Sequence, residues 1–227
     1  MSAIRTIPLD SPLESKRASD SYAVLQRIVE HSFPVEFTLA GELAQFETFA
    51  IPRISKILHR TRQYEDKGLK RLDDTKANLY GIFLAEQGSQ KRQAMLEHLN
   101  WVHAHYSIDN DDNIYTLIRM FLNPIEWINT WGSRPLSRTE IDALIIELIK
   151  IGDEMGIREI PSSYDSMKVW QEQYRATHQR YHEDNHAVAQ GMMSGIEEHF
   201  PKIFRPLVGP LVRALLNKPE CLMAMGY

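Results

Sequence analysis

The most constraining feature of this sequence is the interval at which its apolar residues return. They recur three and four apart in Tyr22, Leu25 and Ile28, then in Phe37 through Phe49, Leu72 through Phe83, Met95 through Tyr106, Ile114 through Phe121, Ile141 through Ile151 and Met167 through Val188. A spacing of three and four is the period of a helix with one buried face, and no run alternates as a half-buried strand would. The predicted fold class is therefore all-α, a single globular domain of about eight to ten helices packed layer on layer. Breaks are expected at Pro52, Gly68, Gly88, Pro124, the Gly132 to Pro135 turn, the Gly156 to Ser163 linker and Pro201. Ser137 and Glu140 have the spacing of a capping box and should start a helix. Residues 1–15, with rigid points at Pro8 and Pro12, read as an extended N-terminal arm, and residues 16–227 as the helical domain.

Composition narrows the partners. The longest apolar runs, such as Ala143 to Ile146, are far too short to span a bilayer, and Arg5, Asp10, Glu14 and Lys16 interrupt any apolar leader, so a cytoplasmic location is expected. A net charge of −4 without a basic block argues against a nucleic-acid partner, and the lone Cys221 excludes an internal disulfide.

The nine histidines invite a metal reading, and geometry must select among them. On a helix from about Lys91 to Tyr106, Met95, Leu96, Leu99, Val102 and Tyr106 form one stripe, and His103 lies within it, roughly 40° from Leu99. His98 and His105 project about 100° and 120° away from that stripe. His103 is either a hydrogen-bonded core histidine or a ligand to a metal. His178, His182 and His186, spaced four apart, could stack on one helical face and hold zinc, but helical drift leaves only His178 inside, a solvated face is the better reading, and no HExxH accompanies them. Asp109 to Asn113 starts like a calcium loop but has Ile114 where glycine belongs and Met120 where a bidentate glutamate belongs, which leaves a helix N-cap.

A second polar signal lies on the stripe Leu72, Thr75, Leu79, Ile82 and Phe83. Thr75 sits at its centre, with Arg71 one turn earlier at its border. A guanidinium at a buried border needs a carboxylate, a phosphate-like group or a cofactor, and Arg71, Asp74 and Thr75 could all reach one cavity wall. The alternative is an Arg71 that reaches water or pairs with Asp74, with Thr75 bonding back to the Arg71 carbonyl.

Several segments in order carry a resemblance to a known family: Phe37-Thr38-Leu39-Ala40, Thr48 through Ser55, Arg71-Leu72-Asp73-Asp74-Thr75 and Asn100-Trp101-Val102-His103. Asn110 through Leu117, Asn123 through Ile128 and Ile151 through Ile157 continue it. Over roughly residues 35 to 175 the chain resembles the MpaB and rubber-oxygenase family. The resemblance implies a helical domain around haem b, with His103 as the proximal iron ligand and Arg71 and Thr75 as the distal pair. It implies an oxygenase that uses dioxygen on a lipophilic, alkene or isoprenoid-like small molecule, with Arg71, Thr75 and Asp74 around the reacting oxygen. A guanidinium or hydroxyl held in a dry cavity would stabilise negative charge developing there. The latex-clearing members carry lysine where this chain has Asp74, which reverses the local charge. Arg53, Lys56, Arg119 and Arg134 are the cations available to haem propionates. A non-catalytic haem or oxygen-binding protein, and a cofactor-free helical interaction protein, are the competing readings.

Overall fold

A computed structural model describes residues 12–227, with side chains from residue 20 onward. It contains eleven α-helices and no strand among the described residues, one helix more than expected because the six-residue helix at Pro219–Ala224 is too short to show a period. The first helix, α1 (Pro12–Arg27), begins inside the expected N-terminal arm; residues 1–11 of that arm lie outside the described residues. A π-helical turn, Ile28–Ser32, leads into α2 (Pro34–Phe49) and α3 (Pro52–Thr61). There follow α4 (Gln63–Leu84), α5 (Gln90–His103), α6 (Asn110–Trp131), α7 (Arg138–Glu154), α8 (Tyr164–His178), α9 (Glu183–Glu198), α10 (Arg205–Leu216) and α11 (Pro219–Ala224).

Two expected breaks are absorbed inside helices. Gly68 does not end α4; the chain kinks at Lys67 (φ −146°, ψ 44°) and continues. The reason is packing. A Cβ on Gly68 would stand 2.4 Å from the Gly191 carbonyl oxygen, and one on Gly195 would stand 2.5 Å from the Gly68 carbonyl carbon, so glycine lets α4 and α9 cross almost backbone to backbone. Pro124 likewise stays inside α6. Its missing N–H costs one ladder bond, but Phe121, Leu122, Ile125 and Ile128 around it are all fully buried. Burying each such side chain contributes about 1.5–3 kcal/mol, enough to hold the helix together across one lost hydrogen bond.

The core has two large apolar clusters. One gathers Phe37, Ile82, Phe83, Leu96, Ile118, Phe121 and Leu144. The other gathers Phe46, Phe49, Tyr64, Leu72, Met192, Val212 and Met225. Helix α4 passes from the second into the first: Tyr64 and Leu72 belong to one, Ile82 and Phe83 to the other. Arg71 and Thr75 lie where it changes over. Helix α5 returns antiparallel along α4 because Arg92, 1% exposed, fixes the turn between them. Its guanidinium donates to Glu154 at 2.7 and 2.9 Å and to the Ile82 carbonyl at 3.3 Å, thereby satisfying the end of α4.

Candidate functional site

The changeover point of α4 holds a compact polar group. Arg71 Nη1 donates to Thr75 Oγ1, and Thr75 Oγ1 in turn donates to the Arg71 carbonyl at 2.8 Å, so the hydroxyl is locked one turn beyond the guanidinium. The back-bond foreseen for Thr75 is present; the Arg71–Asp74 pairing is not. Asp74 does not reach this wall: it is exposed and its carboxylate accepts from Lys70 one turn back, because residue 74 falls on the outer face when 71, 72 and 75 face inward. No carboxylate lies within ion-pair distance of Arg71 among the described residues. The guanidinium stands over the Tyr64 ring, 5.1 Å from its centroid, and the Tyr64 hydroxyl donates to Gln45 Oε1 at 3.4 Å. Burial pushes the Tyr64 phenol up, while Arg71 and a hydrogen bond with Thr75 pull it back.

His103 is the last residue of α5, half-buried and near enough to Arg71 for the guanidinium to act on its imidazole. Burial first, and then the Arg71 guanidinium, hold its imidazole below the usual histidine range, so the ring is neutral near pH 7. No hydrogen bond or ion pair from the described residues engages the ring. The other two local histidines point outward as expected. His98 is exposed and stacks on Trp101, and His105 lies beyond the helix end and donates from Nδ1 to the Trp101 carbonyl at 2.7 Å.

Gln45 also lines a small gap of about 20 Å³ between α2, α4 and α6, room for about one water molecule, whose walls include Phe37, Leu79, Phe83 and Met120. At its edge Lys76 and Glu42 pair at 2.8 Å. The wall of this gap is apolar, with the ion pair at one rim.

Of the cations proposed for propionates, three are already engaged. Arg53 binds Asp109 at 2.7 Å and Asp112 at 2.6 Å; Arg134 binds both oxygens of Glu140 at 2.8 and 2.9 Å; Lys56 is exposed. Arg119, 1% exposed, is committed to Glu47 at 2.8 Å, Gln171 at 2.8 Å and Asn123 at 2.7 Å. Lys218 completes that network, donating to both Glu47 oxygens at 2.8 Å. Arg119 and Lys218 hold the buried Glu47 carboxyl below its usual range despite the opposing effect of burial, which is the largest single influence. Asp109 occupies the N-cap of α6 as expected, although its carboxylate serves Arg53 rather than the helix amides.

The zinc reading of His178, His182 and His186 fails on geometry. His178 ends α8, His182 is the N-cap of α9 and receives a hydrogen bond from the Asp184 amide at 3.1 Å, and His186 lies inside α9. The run from Met167 to Val188 is two helices, so the spacing of four never stacks. The chain turns there because the Asn185 side chain binds the Arg180 and Ala224 carbonyls, each at 2.9 Å, and closes the loop. No cluster of three or more metal-ligating side chains occurs among the described residues.

Tyr64 escaped the sequence reading. It lies seven residues before Arg71 and eleven before Thr75, on the same helical stripe, and would have been found had Gly68 been read as a close contact rather than as a break.

The described residues thus form an all-helical fold in which His103 and the Arg71–Thr75 pair come together where the two apolar clusters meet. The sequence model described as "ER-bound oxygenase mpaB/B'/Rubber oxygenase, catalytic domain" matches residues 35–223, and the chain belongs to that oxygenase family. It is 25% identical over 206 residues to the ER-bound oxygenase mpaB of Penicillium roqueforti, covering 83% of this chain and 69% of that one. It is 25% identical to ER-bound oxygenase mpaB' and 26% identical to ER-bound oxygenase mpaB, both of Penicillium brevicompactum, covering 83% and 69% of this chain. The chain spans about half the length of those two relatives, 49% and 45%. Among the described residues no helix is long and apolar enough to cross a membrane.

Proposed function

We propose that this protein is a haem b-dependent oxygenase that applies dioxygen to a lipophilic, alkene-bearing small molecule and works in the cytoplasm. The observation that carries the reading is the nearness of His103 and Arg71, a half-buried ring with no protein partner and a guanidinium with no carboxylate. That donor set fits a haem, which takes a neutral imidazole on one side and needs hydrogen-bond donors on the other. When bound, haem supplies the redox chemistry by which dioxygen is reduced and transferred.

The protein's own groups do the rest. His103 holds the cofactor from the end of α5. Arg71 places positive charge where oxygen gains electron density, which lowers the barrier to its reduction. Thr75 keeps the guanidinium in place through its hydroxyl, and the Tyr64 ring supports the other side. Phe37, Leu79, Phe83 and Met120 line an apolar gap that must widen to admit an apolar chain and that then shields it from water. Asp74 stays on the outer face with Lys70, three positions after Arg71 and turned away from it.

Oxygen consumption with unsaturated isoprenoid lipids tests this directly. Uptake in molar excess over haem is expected, and Arg71→Ala should lower the rate about ten- to a hundredfold with haem content unchanged. Uptake that stops at one equivalent of haem would make the protein an oxygen carrier instead.

A further inference from the structure

The segment from His199 to Lys218 is apolar on both of its sides. Inward, Val208, Val212 and Leu216 are buried in the second cluster. Outward, Phe200 (42% exposed), Ile203 (79%), Phe204 (53%), Leu207 (64%) and Leu211 (54%) stand in solvent. At about 100° per residue, Leu207, Leu211 and Ala214 of α10 share an arc of about 60°, opposite the buried face, and Phe200, Ile203 and Phe204 stand exposed in the turn before it. A helix packed on a water-exposed domain ordinarily carries polar side chains there, and this one carries its largest apolar groups.

The charge of the segment is as uneven as its hydropathy. Residues 199–218 contain Lys202, Arg205, Arg213 and Lys218 and no Asp or Glu, in a chain whose net charge is −4. Lys218 is held inside by Glu47, and Arg213 stands over the Tyr227 ring at 5.3 Å. Arg205 uses Nε for the Phe200 carbonyl at 3.1 Å, and no carboxylate lies within ion-pair distance of Lys202 or Arg205 among the described residues. An apolar ridge with free cations beside it selects its partner. A second copy meeting face to face would set Lys202 and Arg205 against their own like, which disfavours a symmetric dimer. An anionic, deformable apolar medium satisfies both properties at once.

We propose that the exposed apolar ridge from Phe200 to Leu211, the turn before α10 and the first part of α10, inserts into the interface of an anionic phospholipid bilayer, with Lys202 and Arg205 on the headgroups. The helix is 12 residues long, about 18 Å at 1.5 Å per residue, and so lies in the membrane plane rather than crossing a hydrocarbon core of about 30 Å. This mode of attachment rests on the surface of α10 alone and holds whatever occupies the His103 site.

Co-sedimentation of the full chain with phosphatidylcholine vesicles, with and without phosphatidylserine, is the test. The wild-type protein should pellet with the serine-containing vesicles and be released by salt. Leu207→Glu should weaken binding at least about tenfold and Lys202→Glu about fivefold, both with unchanged far-ultraviolet circular dichroism. Failure of the wild type to pellet, equal binding to vesicles without phosphatidylserine, or unaltered binding by Leu207→Glu overturns the proposal. So does a wild-type dimer in free solution that Leu207→Glu converts to monomer, since that assigns the ridge to a second copy.

Discussion

At the scale of single residues, the site is a contest between hydration and partnership. His103 is neutral because burial and Arg71 both disfavour its cation. Its folded pKa therefore lies below the unfolded value, and the unfolded chain binds the extra proton first. Stability contributed by this residue is present above about pH 6.5 and is lost as pH falls below it toward the depressed folded value. Chemical denaturation of the apoprotein at a series of pH values should show that slope, and His103→Phe should flatten it. The wheel singled out His103, and the border position of Arg71 was equally visible, because both follow from angle and residue type. The direction of Asp74 was not, since a one-position difference on a helix decides between the inner face and solvent, and Lys70 was there to receive it.

At the scale of elements, helix period was legible and helix ends were not. The capping box of α7 stands as expected: Ser137 Oγ accepts from the Glu140 amide at 3.2 Å, and Glu140 accepts from the Ser137 amide at 2.8 Å. Ser137→Ala should cost about 1 kcal/mol in thermal or chemical unfolding. The Glu140 carboxyl is held at about 2 by Arg134, and by its bonds to Ser137, against the effect of burial, so this contribution is lost as pH falls from about 4.5 toward that value. By contrast, Gly68 and Pro124 were read as punctuation, and long-range packing decided otherwise. Such contacts have no local signature. Gly191→Ala tests the crossing of α4 and α9: a Cβ there would meet the Tyr64 carbonyl oxygen at 2.6 Å. We expect a loss of about 1–3 kcal/mol in chemical denaturation, and a shift of the Tyr64 ring that lowers haem affinity in titration.

At the scale of the whole molecule, the two apolar clusters meet along polar residues, and the Arg71–Thr75 pair is one part of that seam. The Glu47, Arg119, Asn123 and Lys218 network is the other, linking α2, α6 and the start of α11. The sequence offers no sign of it, because each member is separated from the next by many positions and the apolar residues around them are ordinary. Glu47→Gln leaves Arg119 buried without its counter-charge and should cost about 3–5 kcal/mol in urea unfolding, far more than Asp74→Asn on the surface. Fold class was readable because periodicity is repeated along the chain; for the candidate site, periodicity singled out only His103 and the Arg71–Thr75 border, and the roles proposed for them come from the family resemblance.

The central claim is that His103 holds a haem, and an absorbance spectrum of the purified, haem-reconstituted protein tests it most directly. The account predicts a Soret band that His103→Ala abolishes and His105→Ala retains. A colourless protein after reconstitution, or a band that survives His103→Ala unchanged, would contradict it.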